Sequence, residues 1–265
     1  MKNSFILLGL IGLFMILFTI CNKDKPFSHN YFTSKTIGIG KNSINIYIHK
    51  WDSTNILFIN LHENEQTSIN AAKEILNIKG GILLELSSGN LLKTRYLKFN
   101  LKNKIFKIDP NRIFSSKGII KTLIEYNNDT SAYHIVKSFS IDLLKNILLF
   151  KSKYIIALHN NTKGEYSIKD YTKGAIYAND AKKVYVNNNE SQDDFFYVTD
   201  ERFFDILRKN EFNVVLQDNI NVNDDGSLSV YCGKNNINYI NIEAAFNHKN
   251  TQKKMIRYII NILKV

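Results

Sequence analysis

Residues 56–65 read ILFINLHENE, a short apolar run that ends on a histidine followed by two glutamates around an asparagine. An uninterrupted apolar run of this length is typical of a strand that is buried on both faces of a sheet. Over 68–78, apolar residues recur three and four positions apart, which predicts a helix, and 82–86 is a second continuous apolar run. Strand, helix and strand in this order predict two parallel strands that are joined by a crossover helix.

The same alternation continues along the chain. The pattern predicts further strands over 37–48, 105–108, 154–158, 183–186, 213–216 and 237–242, and further helices over 131–150, 201–209 and 252–263. We therefore predict an α/β fold, with a mostly parallel or mixed central sheet that helices cover on both faces. In such sheets, functional sites form beyond the carboxyl ends of the strands.

The amino terminus has the pattern of an export signal. Lys2 precedes an apolar, uncharged stretch over 5–20, which ends at Cys21. Residues 18–21, FTIC, resemble a bacterial lipobox, although Ile20 is larger than the usual small residue. We predict that 1–25 is a signal peptide or lipoprotein anchor with lipidated Cys21, which would place an exported protein in the cell envelope, attached to the membrane. An uncleaved signal anchor and a free secreted form are the alternatives.

The remaining residues, 26–265, are predicted to form one domain. They hold two prolines and no Gly/Ser-rich linker, and about 240 residues suffice for a full core.

Cys232 would be the only thiol left, so we predict no disulfide. The net charge of +11 is scattered rather than gathered in a stripe, which argues against nucleic-acid binding. The sequence leaves the oligomeric state open.

Two predicted strands are followed by histidines. His62 and Glu65 follow the strand at 57–61, and His159 follows the strand at 154–158. Zinc favours imidazole nitrogen and carboxylate oxygen, and a catalytic zinc typically has three protein ligands. Chance spacing is the alternative for the His62 and Glu65 pair, other divalent ions suit the same ligands, and Glu63 could replace Glu65. The remaining histidines are interpreted as surface or structural residues: His29, His49, His134 and His248.

Between the two histidine segments lies the pair Asn111 and Arg112, directly after Pro110. The planar fork of arginine suits a carboxylate, and asparagine adds a neutral donor. An exposed turn after a short strand is the alternative interpretation of this pair.

Three motifs in this order resemble a known family. They are HENE at 62–65, DPNRIF at 109–114 and LHNNT at 158–162. Together with a late glutamate on a strand, they resemble the zinc carboxypeptidase superfamily, and most closely its succinylglutamate desuccinylase/aspartoacylase branch. The carboxypeptidase branch is resembled near the carboxyl end, by GSLSVY at 226–231 and INYINIE at 237–243. The resemblance spans about residues 55 to 245.

The resemblance implies a role for each matching residue. His62, Glu65 and His159 would bind one zinc ion per chain, and Glu243 would be the general base and then the general acid. Asn111 and Arg112 would hold a substrate carboxylate, and Arg95 would polarise the scissile carbonyl. In the desuccinylase branch that arginine lies nearer the Asn-Arg pair, where this chain has Lys104. Tyr231 would be a substrate-binding tyrosine, with an ordinary loop or strand aromatic as the alternative.

The implied function is that of a zinc-dependent amide hydrolase, an enzyme similar to metallocarboxypeptidases. With an envelope location, its substrate would be a peptide, such as a peptidoglycan stem peptide, cleaved next to a free carboxylate. One alternative is an N-acyl amino acid deacylase of the desuccinylase/aspartoacylase type. The other is a non-catalytic envelope lipoprotein that binds a ligand and has kept the fold.

Overall fold

The computed structural model describes residues 30–51 and 56–264. The predicted anchor at 1–25 and the lipidation site Cys21 lie outside the described residues, so both stay predictions.

The described residues form eleven strands, six α-helices and three short 3₁₀ helices. The strands are β1 (Asn30–Ile39), β2 (Asn42–Trp51), β3 (Leu57–Asn60), β4 (Gly81–Ser87), β5 (Leu97–Leu101), β6 (Lys104–Ile108), β7 (Tyr154–Asn161), β8 (Ala181–Tyr185), β9 (Phe195–Val198), β10 (Val214–Gln217) and β11 (Asn238–Ala245). The helices are α1 (Gln66–Lys79), α2 (Ser116–Thr122), α3 (Thr130–Leu148), α4 (Glu201–Lys209), α5 (Leu228–Lys234) and α6 (Lys249–Leu263). The 3₁₀ helices are Ile124–Tyr126, Ile168–Tyr171 and Ala178–Asp180.

Nine strands form one sheet in the order β1-β2-β4-β3-β7-β11-β9-β10-β8. Its middle, β4-β3-β7-β11, is parallel throughout. Outside the middle, β1-β2, β2-β4, β11-β9 and β10-β8 are antiparallel and only β9-β10 is parallel. The sheet is therefore mixed, and the predicted α/β fold is confirmed.

Helices cover both faces of the sheet, as predicted. On one face, α1, α4 and α6 pack on side chains such as Phe58, Ile156 and Ile240. On the other face, α3 and α5 pack on the alternate residues of the same strands, such as Ile155 and Tyr239. Because strand side chains alternate between faces, each central strand is apolar over most of its length.

Some elements differ from the sequence prediction. The single strand predicted over 37–48 is a hairpin, because the chain turns at Gly40, whose φ of +59° suits glycine. The apolar alternation runs through that turn, so periodicity alone gave one strand. The predicted strand at 105–108 is present as β6, but it pairs only with β5 in a separate two-stranded sheet. The elements β5, β9, α2 and α5 were not predicted.

Within the described residues, every helix is too short or too polar to cross a bilayer.

Candidate metal centre and the adjoining cavity

Three side chains from distant parts of the chain converge at the carboxyl end of the parallel strands. Nδ1 of His62 lies 2.8 Å from Oε1 of Glu65 and 3.3 Å from Nδ1 of His159. Nδ1 of His159 lies 3.0 Å from Oε2 of Glu65. All three residues are buried, and in the described part of the chain they form one group that could hold a metal ion. We call these three residues the metal corner.

Local structure explains how two of these donors arise within four residues. His62 lies just past the end of β3, and the chain then turns, with Glu65 N donating to His62 O at 3.0 Å. Helix α1 begins directly afterwards, at Gln66. Glu65 occupies the N-cap position, but its side chain caps no helix N–H. The Glu65 carboxylate is therefore free to face the two imidazoles.

The structure also distinguishes the two glutamates of the motif. Glu63 accepts hydrogen bonds from Ser87 Oγ at 2.7 Å, Ser88 Oγ at 2.7 Å and Ser88 N at 3.1 Å. These partners lie at the end of β4 and directly after it, and they hold the Glu63 carboxylate there. Of the two glutamates, Glu65 is the one that joins the metal corner.

Asp109 holds His62 from behind, a role that the sequence did not reveal. Its Oδ1 lies 2.8 Å from Nε2 of His62. If Nε2 carries the proton and donates to this carboxylate, Nδ1 of His62 keeps a lone pair that faces Glu65 and His159. A carboxylate behind a ligating imidazole is the usual arrangement around bound metals, because it fixes the tautomer and the ring orientation.

The charges of this cluster stabilise each other. Burial alone would lower the pKa of His62, but Glu65 and Asp109 raise it to about 9. Burial would raise the pKa of Glu65, yet His62 and His159 lower it to about 2. In the same way His62 and Arg95 hold the pKa of Asp109 well below its ordinary value, against the effect of burial. The carboxylates of Glu65 and Asp109 are therefore ionised, and the positive charge between and beside them stabilises this state.

The donor set fits a zinc ion. Two imidazole nitrogens and one carboxylate are ligands that a catalytic zinc commonly has, at about 2.0 to 2.2 Å from the metal. Tetrahedral ligands at such distances lie roughly 3.4 Å apart. Here the two imidazole nitrogens lie 3.3 Å apart, and each has one oxygen of the Glu65 carboxylate at 2.8 or 3.0 Å. Small outward movements would seat the ion. The same donors suit other divalent metals, so the geometry indicates a metal rather than one element.

Glu243 lies beside the metal corner. It is on β11, where the parallel register places it opposite His159 of β7, and the two residues share one face of the sheet. Burial, as the largest cause, raises the pKa of Glu243 above its ordinary value, and Glu65 adds to the effect. Asn241 Nδ2 donates to Oε1 of Glu243 at 3.0 Å, which fixes the carboxyl group.

A cavity of about 720 Å³ opens over this corner. Most of the sequence-predicted site residues line it: Glu65, Arg95, Asn111, Arg112, His159 and Glu243. His62 lies behind them, with no exposed surface. The structure thus brings seven of the eight predicted site residues of the domain to one place.

Both arginines reach the cavity, and each has an acidic partner. Arg95 donates from Nε to Asp109 Oδ2 at 3.1 Å, and its Nη1 lies 3.5 Å from Oε1 of Glu65. Arg112 Nη1 donates to Asn111 O at 2.8 Å, and Arg112 Nε lies 3.5 Å from Asp225 Oδ2. The side chain of Asn111 accepts from Leu228 N at 3.0 Å, so it holds α5 in place.

Tyr231 is the predicted residue that stays apart. It lies on α5, with its ring 6.4 Å from that of Phe114, and it does not line the cavity. Five other tyrosines line the cavity instead, namely Tyr239 of β11 and four that we call the tyrosine wall: Tyr166, Tyr171, Tyr177 and Tyr197. The wall residues come from 3₁₀ helices, loops and β9, where no motif marks them.

Neither known protein-family models nor curated proteins match this chain. Among solved structures, a protein of Shewanella baltica OS155 that is provisionally described as a metallopeptidase aligns over 87% of this chain and 86% of its own, with 10% identity and a TM-score of 0.46. A protein of Shewanella frigidimarina NCIMB 400, provisionally described as a succinylglutamate desuccinylase/aspartoacylase, aligns over 87% and 70%, with 11% identity and a TM-score of 0.43. Both TM-scores are below 0.5, so the function of this chain is argued from the residues of its own site.

Proposed function

We propose that this protein is a metal-dependent hydrolase that cleaves an amide bond next to a free carboxylate, as metallocarboxypeptidases do. One observation carries the proposal: one donor atom from each residue of the metal corner lies within 4.8 Å of the other two, and Glu243 faces the same cavity. This set combines a place for a metal ion with a buried general base.

The protein's own groups would have distinct roles. A metal ion held by His62, Glu65 and His159 would supply Lewis-acid chemistry and would lower the pKa of a water molecule towards about 7. Glu243 would accept a proton from the attacking water and return it to the leaving amine. Its raised pKa suits both steps, because a carboxylate with a pKa above the ordinary value is a stronger base, and once protonated it holds its proton until the leaving amine takes it.

The two arginines would position the substrate. Arg95, held by Asp109 next to the metal corner, would stabilise the negative charge that develops on the carbonyl oxygen. Arg112 would bind the substrate carboxylate and so place the scissile bond near the metal corner. Its contact with Asp225 is loose, at 3.5 Å, and a substrate carboxylate could replace it.

Metal analysis and a pair of peptides test the proposal. We expect about one zinc ion per chain, lost in His159→Ala, because removing one of three ligands disrupts the site. We also expect release of the terminal residue from peptides with a free carboxyl end but not from amidated ones. Cleavage of N-acyl amino acids alone would favour the deacylase. A metal-free protein that binds peptidoglycan would favour the non-catalytic envelope lipoprotein.

The export signal predicted at the amino terminus makes peptidoglycan stem peptides the proposed natural source of such substrates.

A further inference from the structure

The cavity is acidic although the protein is basic. The whole chain has a net charge of +11. The cavity lining contains two arginines and no lysine among the described residues, against six carboxylates: Glu65, Glu165, Asp170, Asp180, Asp225 and Glu243. Two of these belong to the proposed chemistry and the rest lie elsewhere in the cavity. A metal dication would offset only part of this charge, so the cavity favours a positively charged group.

The tyrosine wall forms a continuous aromatic surface in the cavity. Ring centroids of Tyr171 lie 5.2 Å from Tyr197 and 5.5 Å from Tyr177, and Tyr166 is 6.1 Å from Tyr171. Burial and charged neighbours, Asp180 and Asp225 among them, hold the pKa of Tyr197 well above its usual range. Both carboxylates line the same cavity as this ring. Aromatic faces next to carboxylates attract organic cations.

Two buried amides in the lining offer acceptors that the protein does not use. Asn161 donates from Nδ2 to Asp193 O at 2.7 Å, and Asn241 donates from Nδ2 to Glu243. Because both partners are oxygen acceptors, the amide orientations are fixed. The Oδ1 atoms of Asn161 and Asn241 have no hydrogen-bond partner among the described residues, although the two side chains are only 6% and 8% exposed. Buried acceptors without a donor suit a ligand that carries N–H groups.

The order of these groups suggests how a substrate lies. Arg112 contacts Asp225, and Tyr197 and Asp180 line the same cavity. The Oδ1 atom of Asp180 accepts a hydrogen bond from Asn223 N at 2.9 Å, which places Asp180 beside the segment that carries Asp225. A substrate residue with its carboxylate on Arg112 would thus extend its side chain across Tyr197 towards Asp180.

From these observations, and resting on the proposed hydrolase function, we infer that the cavity selects substrates whose carboxylate-bearing residue has an ammonium or guanidinium side chain. Asp180 and Asp225 would bind the cation, and Tyr197 would cover the aliphatic part of the side chain. Asp225, released from Arg112 when the substrate carboxylate arrives, would be free to pair with that cation.

Matched peptides test this selectivity in the full-length, zinc-loaded protein. Norleucine has the four-carbon side chain of lysine without the ammonium group, and glutamate has a negative charge, so peptides that end in lysine, norleucine or glutamate separate the effect of charge from that of the aliphatic part. We expect a kcat/KM about tenfold or more higher for lysine than for norleucine, and lowest for glutamate. Asp180→Asn keeps the acceptor for Asn223 N but removes the charge, and it should move kcat/KM for the lysine peptide most of the way to the norleucine value, with Asp225 still present. Asp142→Asn changes an acid on α3 whose side chain is 46% exposed, and it should leave all three values unchanged.

Equal or better cleavage of the norleucine or glutamate peptide would overturn the inference and leave the hydrolase standing. If no peptide is cleaved, equilibrium binding of the same three peptides to the Glu243→Gln protein decides. Preferred binding of the lysine peptide, lost in the double variant with Asp180→Asn, would support the cation pocket while the proposed reaction fails. Equal binding, or none, would overturn the pocket.

Discussion

The two ends of the cavity are built differently. The metal corner lies at the carboxyl ends of the parallel strands β3 and β7, and its three residues are at most 5% exposed. Each is held by other buried polar groups, such as Asp109 behind His62. The end near the tyrosine wall is formed largely by 3₁₀ helices and loops, with half-buried carboxylates such as Asp180 and Asp225.

This difference separates chemistry from selection. Groups on strand ends inside a packed sheet are held in a single geometry, which metal binding and proton transfer require. Groups on loops change readily without disturbing the core, which suits the part of a site that distinguishes substrates. Changes in the metal corner should therefore affect turnover and metal binding, and changes at the far end should affect KM and preference.

The largest expected effect is at Glu243. Glu243→Gln should lower kcat by about 10²- to 10⁴-fold, because the amide cannot take the proton of the attacking water. Zinc content should stay near one per chain, since Glu243 is not one of the three converging donors. Steady-state kinetics and metal analysis of the same sample measure both effects. The exposed Glu125→Gln is the matched control, and full activity of Glu243→Gln would remove the proposed base.

A smaller effect is expected behind the metal corner. Asp109→Asn should weaken zinc affinity by about 10- to 100-fold, because the carboxylate no longer fixes and polarises His62. Competition with a coloured chelator measures this affinity. Asp142→Asn is the control for a lost surface charge. Unchanged affinity in Asp109→Asn would mean that the contact with Asp109 does not support a metal ligand.

A third change acts on the substrate end through the backbone. A Cβ at Gly118 would lie 2.3 Å from Gly226 Cα and 2.5 Å from Arg112 O, so Gly118→Ala must displace the loop that holds Arg112. We expect KM to rise about tenfold with zinc content unchanged, and a loss of stability of about 1 to 3 kcal/mol. Gly38→Ala meets nothing within 4 Å and is the control. A fall in kcat without a change in KM would contradict the separation of the two ends.

The smallest predicted effect concerns pH. Burial raises the pKa of Glu243, and the hydrogen bond from Asn241 opposes this rise. Glu243 must be ionised to act as a base, so activity falls as the pH drops through its pKa. Asn241→Leu removes the donor, so the acid limb of kcat/KM should move to higher pH by about one pH unit. If the acid limb of the pH profile does not move, the ionisation of another group controls kcat/KM at low pH.

Sequence patterns predicted most of the elements that position the site. The apolar runs at 57–61, 82–86 and 154–158 correspond to β3, β4 and β7, and the helix predicted at 201–209 matches α4 in both bounds. Some short elements were not predicted, because a few residues are too short a stretch to show a clear periodicity. Residues 226–231 gave no helical signal, yet α5 begins there, with the Ser227 hydroxyl accepting from Val230 N. Seven residues can form a helix because the surrounding structure packs against it.

The sequence by itself determined the alternation of strands and helices, and with it the histidines and carboxylates that stand at strand ends. Side-chain periodicity and strand termini are local properties, so they can be read along the chain. Only the tertiary structure decided that Glu65 rather than Glu63 joins the metal corner, that Asp109 supports His62, and that tyrosines and acids form the rest of the cavity. Those facts depend on contacts between residues far apart in sequence, such as Arg112 with Asp225, and local patterns do not record which distant side chains will meet.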